Sequence, residues 1–424
     1  MNKPYLRGSL RPSAFHILRR GGRSRVGIKR GELSGNLRIL AGGFIAFCLL
    51  HVLNNSYTTV VALIKEELSL SYTMSGALMS AYFTGYTIGQ IPWGILADRH
   101  GPRRVMAASI LGTASATVLF GMSQSFWQIL LTRFLSGLLG AGVFVPGVKL
   151  VSAWFSPGSR GTALGLLSIG GSIGLVIASF LTPYASVSMG WRGAITASGV
   201  IGILSSAAIL LALKDRQVEP QPHVRSANIS EVIRTGSFWA LAWIQMVRLG
   251  SNYAFIAWFP LILTEELGLG LVAAGAVFAL YNLTGMISNP LGGIASDRFG
   301  EKEVLAVSFA VLCVATYLFA RASSTLMIYA TVLLIGWFIN FVRSPNFAIL
   351  PKLYGVENAG RISGVQNTFA SLGALVLPLV LGFLKDTTDS YWSGWLILSG
   401  ALLSVSLVSL LITVPDGIDK RGPN

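Results

Sequence analysis

Charge is scarce in this sequence: only 12% of the 424 residues are Asp, Glu, Lys or Arg, and 53% are hydrophobic. A soluble globular chain carries about twice that share of charge. Apolar runs of about 18 residues or more recur along the chain, and a run of that length matches the ~30 Å hydrocarbon core of a bilayer. The composition therefore excludes an ordinary soluble domain and predicts a polytopic membrane protein that contacts the lipid bilayer.

Cysteine and histidine are also rare. The two cysteines, Cys48 and Cys313, lie in apolar runs and lack metal-ligand spacing, which excludes a disulfide framework. The four histidines form no cluster: His16, His51, His100 and His223. Because no phosphate-binding glycine loop, Ser/His/Asp grouping or intramembrane carboxylate pair is visible, we expect no enzyme activity, no cofactor and no metal site.

The net charge of +15 is concentrated near the N-terminus, where ten of the 32 Lys and Arg residues lie at or before Arg38. Such a segment is typical of a cytosolic tail that obeys the positive-inside rule. It also resembles an organelle transit peptide, which is rich in Arg and poor in acids. We favour the tail, and we expect no nucleic-acid partner.

The apolar runs predict twelve spans, at 38–64, 73–96, 102–121, 125–152, 159–185, 193–213, 237–263, 270–294, 303–321, 325–350, 361–384 and 392–414. A polar linker, 214–236, separates a half at 36–213 from a half at 237–415, with tails at 1–35 and 416–424. The predicted fold is therefore all-α, with twelve transmembrane helices in two six-helix halves around a central cavity. With both termini cytoplasmic, the cytoplasmic segments hold 24 Lys and Arg and the outer loops four, which predicts a multi-pass plasma-membrane (inner-membrane) protein.

The two halves repeat each other at a constant offset of 199 residues. That shift aligns 94–101, GILADRHG, with 293–300, GIASDRFG, and it brings Pro146 onto Pro345. A single offset over this range indicates two copies of one six-helix unit, which is an architecture of secondary transporters.

The segments GILADRHGPRR (94–104) and GIASDRFGEK (293–302) resemble the duplicated signature loop of the major facilitator superfamily. Pro102 and Glu301 depart from the pattern, since a basic residue is usual there. The resemblance implies that these loops gate the cytoplasmic side by holding the two halves together in the outward-open state. The gating residues are then Gly94, Asp98, Arg99, Gly101, Arg103, Gly293, Asp297, Arg298 and Gly300.

Two of these residues carry specific expectations. Gly94 is expected to allow a close helix approach. Asp98 is expected to accept hydrogen bonds from Arg99 or Arg103, or to lie at a helix N-terminus where the dipole favours an anion.

Ionisable side chains inside the predicted spans are few, and none of those near mid-span is acidic. They are His51, Arg133, Lys149, Arg248 and Arg343, and they all lie on spans 1, 4, 7 and 10. The resemblance implies that these four helices line the central cavity. Lys149 is close enough to the inner end of span 4 that we expect it to extend to the interface.

Polar residues at helical spacing accompany several of these charges. The predicted substrate site therefore comprises Arg248, Arg343, Arg133, His51, Asn54, Asn55, Asn252, Asn340, Asn346 and Gln245. Cations without a carboxylate attract anions, and the guanidinium fork suits carboxylate or phosphate.

The segments WFPLIL (258–263) and YFTGYTIGQIPWG (82–94) resemble the anion-transporting branches of the superfamily, namely organate:cation symporters and nitrate or cyanate porters. We predict a monomeric secondary transporter of a small anion, with an organic carboxylate favoured, working by alternating access. The coupling partner stays open between a proton at His51, another cation and a counter-anion. Alternatives are an exporter of a neutral or drug-like solute, if the arginines are structural, and a non-transporting sensor.

Overall fold

The computed structural model describes residues 30–155, 157–216, 229–322, 324–354 and 356–412, which form helices and, in this part of the chain, no strand. In the first half the helices are α1 (Arg30–Asn55), a 3-10 helix (Thr58–Val60), α2 (Val61–Glu67), α3 (Tyr72–His100), α4 (Pro102–Gly121), α5 (Phe126–Gly140), α6 (Phe144–Trp154) and α7 (Pro157–Ala212). The linker holds α8 (Ile229–Ile233). The second half contains α9 (Gly236–Glu265), α10 (Leu271–Phe299), α11 (Glu301–Ala320), α12 (Thr325–Phe341), α13 (Arg343–Tyr354), α14 (Val356–Thr388) and α15 (Tyr391–Leu410).

These helices make twelve crossings within the described residues. Ten segments are long and apolar enough to span a membrane, and one of them, Ala163–Ala212, contains two crossings. It divides at Gly190, whose φ of 71° only glycine adopts readily. Helix α3, of 29 residues, is the remaining crossing. Helices suit this setting because hydrocarbon offers no partner for an unpaired backbone amide.

Three crossings are interrupted. Span 1 breaks after Asn55, span 4 between α5 and α6, and span 10 between α12 and α13. The last two breaks are equivalent, since Phe144 and Arg343 begin α6 and α13 at an offset of 199 residues. Pro146 and Pro345 lie in the first turns after the breaks, where proline is tolerated.

The predicted repeat is confirmed by the helix bounds. Helices α3 and α10 begin and end 199 residues apart, and so do α4 and α11. The glycines between them, Gly101 and Gly300, both have positive φ, at 84° and 94°. The two halves are therefore copies of one unit in backbone conformation as well as in sequence.

The two ends of the bundle differ in how the halves meet. We call the end that carries Gly101, Gly300 and residues 213–216 the linker side, and the opposite end the far side. Across the seam between the halves, α3 packs on α14 and α7 on α10. At the far side a Cβ on Gly76 would lie 2.6 Å from the Pro378 carbonyl oxygen, and one on Gly382 would lie 2.4 Å from that of Tyr72. Only glycine permits backbones to approach so closely.

On the linker side of the breaks in spans 4 and 10, the helices α6 and α13 each pack within their own half. Helix α6 packs on α1, α3, α4 and α7, whereas α13 packs on α10, α11, α12 and α14. Among the described residues, the close contacts between the halves therefore lie at the far side, which indicates a conformation that is open toward the linker side.

Several predicted boundaries require correction or fall outside the described part. The predicted tail 1–35 overlaps α1, which begins at Arg30, and the rest of it lies outside the described residues. The tail 416–424 lies outside them as well, as does 217–228 of the linker. The motif 94–100 is the end of α3 and not a loop, because the helix continues to His100.

Candidate functional site

Arg248 lies near the middle of α9, in the second half. Its side chain is 6% exposed, and its Nε and Nη2 atoms donate to Gln245 Oε1 at 3.2 and 2.9 Å. The two residues are one helical turn apart, so they share a face of α9. The guanidinium carbon also lies 5.9 Å from the centre of the Phe347 ring on α13. Gln245 supplies an oxygen acceptor but no negative charge.

Arg343 begins α13 and lies close enough to Arg248 for the two charges to repel each other. It is also close enough to act electrostatically on His51 of the first half. In the described part of the chain, neither arginine forms an ion pair with a carboxylate. The structure thus brings together three of the predicted site residues, from both halves, around a concentration of positive charge.

His51 is held in a fixed orientation on α1. Its Nδ1 atom lies 2.9 Å from the Phe47 carbonyl oxygen, and its ring contacts the Phe47 ring edge-on at 4.5 Å. A Cβ on Gly171 would lie 2.9 Å from the His51 ring, so α7 packs tightly against it. A carbonyl accepts a hydrogen bond, so Nδ1 carries the proton and Nε2 is the atom left for another partner.

Tyr253 is a candidate site residue that the helical spacing did not predict. It lies near enough to Arg248 and Arg343 for electrostatic interaction with both. Its ring contacts that of Phe83, on α3 of the other half, at 4.2 Å. Tyr253 is about 140° around α9 from Arg248 at 100° per residue, so no stripe on one face connects the two.

Arg133 belongs to a different cluster, inside the first half. Its Nη1 and Nη2 atoms donate to the backbone oxygen and to Oδ1 of Asn54, both at 3.0 Å, and its Nε donates to the Leu78 carbonyl at 3.3 Å. The guanidinium carbon lies 3.9 Å from the centre of the Tyr57 ring and 4.9 Å from that of Tyr82. Arg133 therefore joins α5 to the break in span 1, and its hydrogen-bonding capacity is largely used there.

Apart from Asn54, which binds Arg133, the predicted asparagines form no hydrogen bond with the arginines among the described residues. Asn340 donates to the Gly336 carbonyl at 2.9 Å, and Asn252 Oδ1 lies 3.5 Å from the Tyr281 hydroxyl of α10. Asn55 donates to the His51 carbonyl at 2.9 Å. Asn346, 1% exposed, has no hydrogen-bond partner for either amide atom among the described residues.

The signature motif makes contacts that differ from those predicted. Asp98 forms an ion pair with Lys149, and it lies in the last turn of α3, at a C-terminus and not an N-terminus. Arg103 instead bonds the end of α7 through its Nε, which donates to the Leu210 carbonyl at 2.7 Å, and the segment after α7 through its amide, which donates to Asp215 Oδ1 at 2.9 Å. Lys149 therefore forms an ion pair with the motif, in addition to the predicted extension to the interface.

The glycines of the motif have distinct roles. The expected close approach at Gly94 is wrong for this conformation, since no atom lies within 4 Å of a Cβ placed there. A Cβ on Gly293 would make an ordinary 3.5 Å contact with Ser344. Gly101 and Gly300 are required by their positive φ.

In the second copy of the motif Glu301 forms an ion pair with Lys352 at 2.9 Å, which accounts for an acid in place of the usual base. Arg99, Asp297 and Arg298 are exposed at the linker side.

Two repeated halves with a buried cluster of polar and charged side chains between them are typical of a membrane transporter. The chain belongs to the major facilitator superfamily, whose model matches residues 43–288 and 241–423. The resemblance seen in the sequence is confirmed, and the protein is a secondary transporter and not an enzyme.

Relatives with described substrates match most of the chain. A probable L-galactonate transporter of Escherichia coli (strain K12) is 25% identical, over 89% of this chain and 88% of the relative. The probable sulfoacetate transporter SauU of Cupriavidus necator is 27% identical, over 85% and 90%. The probable nitrate transporter NarT of Staphylococcus epidermidis is 23% identical, over 91% and 98%.

Solved structures share the fold. A bacterial homologue of the human lysosomal transporter Spinster, inward-facing and occupied, has a TM-score of 0.73 at 16% identity and covers 88% of this chain and 94% of its own. A mutant of the nucleoside transporter NupG has a TM-score of 0.76 at 13% identity, covering 89% and 99%.

Proposed function

We propose that this protein moves a small anion, favouring an organic carboxylate, across the membrane by alternating access. The observation that carries the proposal is the pair Arg248 and Arg343, which lie near each other and near His51 without a carboxylate partner in the described chain. A bound anion would supply the missing negative charge.

The energetics favour this reading of the site. A guanidinium at membrane depth costs at least ~2.5 kcal/mol on insertion scales, and two that repel each other cost more. Water in the opening between the halves offsets part of that cost. A carboxylate that accepts a bidentate hydrogen bond from either arginine offsets it further, because charge-assisted bonds are about twice as strong as neutral ones.

The relatives support an anionic substrate. The proteins named for L-galactonate, sulfoacetate and nitrate transport all take anions that differ in size and in the number of hydroxyl groups. Their shared feature is negative charge, which is the property that two unpaired arginines recognise. The carboxylate preference follows from the planar guanidinium fork, which matches the two oxygens of a carboxylate.

Transport into proteoliposomes tests the proposal. Arg343→Gln should reduce uptake of labelled galactonate, sulfoacetate and nitrate at least tenfold relative to the unaltered protein. Arg321→Gln is the matched control, because Arg321 is exposed at the far side and stacks on Trp392 at 4.3 Å, away from the site. Equal uptake by Arg343→Gln and Arg321→Gln, for whichever of these anions is carried, would contradict the role of Arg343.

Stability without an anion separates a substrate-binding arginine from a structural one. Removing one of two repelling charges should leave the melting temperature of Arg343→Gln unchanged or raised, whereas loss of a structural arginine lowers it. A lower melting temperature together with lost uptake would favour a structural role, and with it the alternative of a neutral substrate.

We further propose that the linker side is cytoplasmic, which follows from the excess of Lys and Arg in the segments predicted to lie there. A proton carried on His51 is the proposed coupling partner, because imidazole is the group of the proposed site best suited to accept and release a proton. The protein is expected to act as a monomer.

A further inference from the structure

Glu265, at the far-side end of α9, is a meeting point between the halves. Its Oε1 atom accepts from Lys65 Nζ at 3.1 Å, and its Oε2 accepts from the Tyr72 hydroxyl at 2.8 Å. Lys65 and Tyr72 belong to the first half. Oε2 also accepts from the Tyr391 hydroxyl of its own half at 3.0 Å. One carboxylate thus holds two residues of the opposite half.

Asp386, at the far-side end of α14, caps a helix of the other half. Its Oδ1 accepts from the Tyr72 amide at 2.8 Å and its Oδ2 from the Thr73 amide at 2.7 Å. These are the first two residues of α3, whose amides have no partner within their own helix. The negative carboxylate also matches the positive end of the α3 dipole.

Within the first half, hydrogen-bond partners exist only for the amides that follow Tyr72 and Thr73 in α3. Ser71 Oγ accepts from Met74 N at 3.1 Å, and the Ser71 carbonyl accepts from Ser75 N at 3.0 Å. The cap of α3 is therefore complete only while the halves are closed at the far side. Separation there exposes the amides of Tyr72 and Thr73 and breaks the bonds to Glu265.

We propose that Glu265 and Asp386 form a far-side latch, in which two carboxylates of the second half hold the ammonium of Lys65 and the N-terminus of α3 in the first half. The latch stabilises the state that opens toward the linker side. Opening at the far side requires that these bonds break, so the latch sets the balance between the two open states. It does not depend on which anion is carried.

Its geometry agrees with the rest of the seam. The backbone approaches at Gly76 and Gly382 lie beside the bonds of Tyr72 and Asp386, so apolar packing and the polar latch close the same end. Lys385, next to Asp386 and 8% exposed, lies 4.5 Å above the Tyr391 ring and donates to the Asp389 carbonyl within its own half. The cation of Lys385 therefore orients Tyr391 toward Glu265.

Distances between spin labels test the latch without a substrate. Labels at Gln124→Cys and Ser324→Cys, both exposed at the far side of different halves and away from the latch, would be measured by pulsed electron resonance in nanodiscs. Cys48 and Cys313 would first be replaced by serine. With the latch residues unaltered, we expect mainly the short distance between the two labels that corresponds to a closed far side.

Each latch variant should raise the long-distance population about tenfold relative to the short one, the equivalent of about 1.4 kcal/mol. The variants are Glu265→Gln and Asp386→Ala, with Asp386→Asn as a milder form that keeps one carbonyl acceptor. Glu66→Gln is the control, because Glu66 is an exposed carboxylate at the same end.

A rise in either latch variant beyond that of Glu66→Gln supports the latch. If no folded variant of Glu265 or Asp386 exceeds Glu66→Gln, the latch is overturned. Thermal unfolding of each labelled protein establishes that it is folded before the distances are compared.

Discussion

Replacing Arg133 with glutamine should destabilise the protein strongly, although Arg133 is a predicted substrate ligand. Its guanidinium is 2% exposed, makes two 3.0 Å bonds to Asn54 and lies 3.9 Å from the Tyr57 ring. A bond to a charged group contributes ~1.5–3 kcal/mol, and a desolvated cation–π contact ~2 kcal/mol. Because such values do not add fully, we expect a loss of about 3–5 kcal/mol in the free energy of unfolding.

The assay is unfolding of the purified protein in detergent, by heat and by denaturant. Asn54→Ala removes the acceptor Oδ1 and should lower stability by less, since its backbone oxygen still accepts from Arg133. In the double variant the two losses should not add, because the residues share one bond. If the melting temperature of Arg133→Gln lies within 1–2 °C of that of the unaltered protein, a shift that corresponds to only ~0.5 kcal/mol, the structural role of Arg133 is refuted.

Two further predictions concern a turn and a titrating group. Gly101→Ala should lower the free energy of unfolding by about 1–2 kcal/mol, since Gly101 has a φ of 84° and abuts Asp215. The control Gly94→Ala lies in a helix with no neighbour within 4 Å, so it should be neutral or stabilising by up to ~1 kcal/mol. Equal melting temperatures for the two variants would contradict this prediction. Uptake by the unaltered protein should vary with pH, because His51 is the proposed carrier of the coupling proton, and His51→Gln should flatten that profile; an unaltered profile in His51→Gln would exclude His51 as the coupling group.

The architecture could be predicted because its signals are local and repeated. Apolar runs define spans without any knowledge of tertiary contacts, and the offset of 199 residues connects Gly101 to Gly300 whichever way the helices pack. The breaks in spans 4 and 10 are accompanied by Pro146 and Pro345, which are visible in the sequence. The break after Asn55 has no such mark, and beside it Arg133 from another helix donates to the Asn54 carbonyl oxygen.

The candidate site could be predicted only in part. Charge scarcity singles out Arg248 and Arg343, because a cation in an apolar span is conspicuous whatever its partners. Helical spacing does not tell which polar neighbours face the cavity. It therefore assigns Asn340 to the site, although the Asn340 side chain bonds within α12. Tyr253 was missed because its role depends on Phe83 of the other half, a contact 170 residues away in the chain.

The contacts of the signature motif were beyond sequence reasoning for a different reason. Asp98 has several bases within reach in sequence, and only the packing of α6 against α3 brings Lys149 to it. The sequence likewise could not show which end of the bundle is closed, because the residues that close the far side are as distant in the chain as Tyr72 and Asp386.

A thermal-shift screen of the purified protein with mono-, di- and tricarboxylates, inorganic anions and sugar phosphates tests the central claim most directly. A ligand present at 100 times its dissociation constant adds about 2.7 kcal/mol of apparent stability. The proposed function predicts that at least one anion, with carboxylates foremost, raises the melting temperature, and that Arg343→Gln and Arg248→Gln lose this rise while Arg321→Gln keeps it. Stabilisation by the same anion that persists in both Arg343→Gln and Arg248→Gln, or by neutral solutes alone, would contradict an anion site at these arginines.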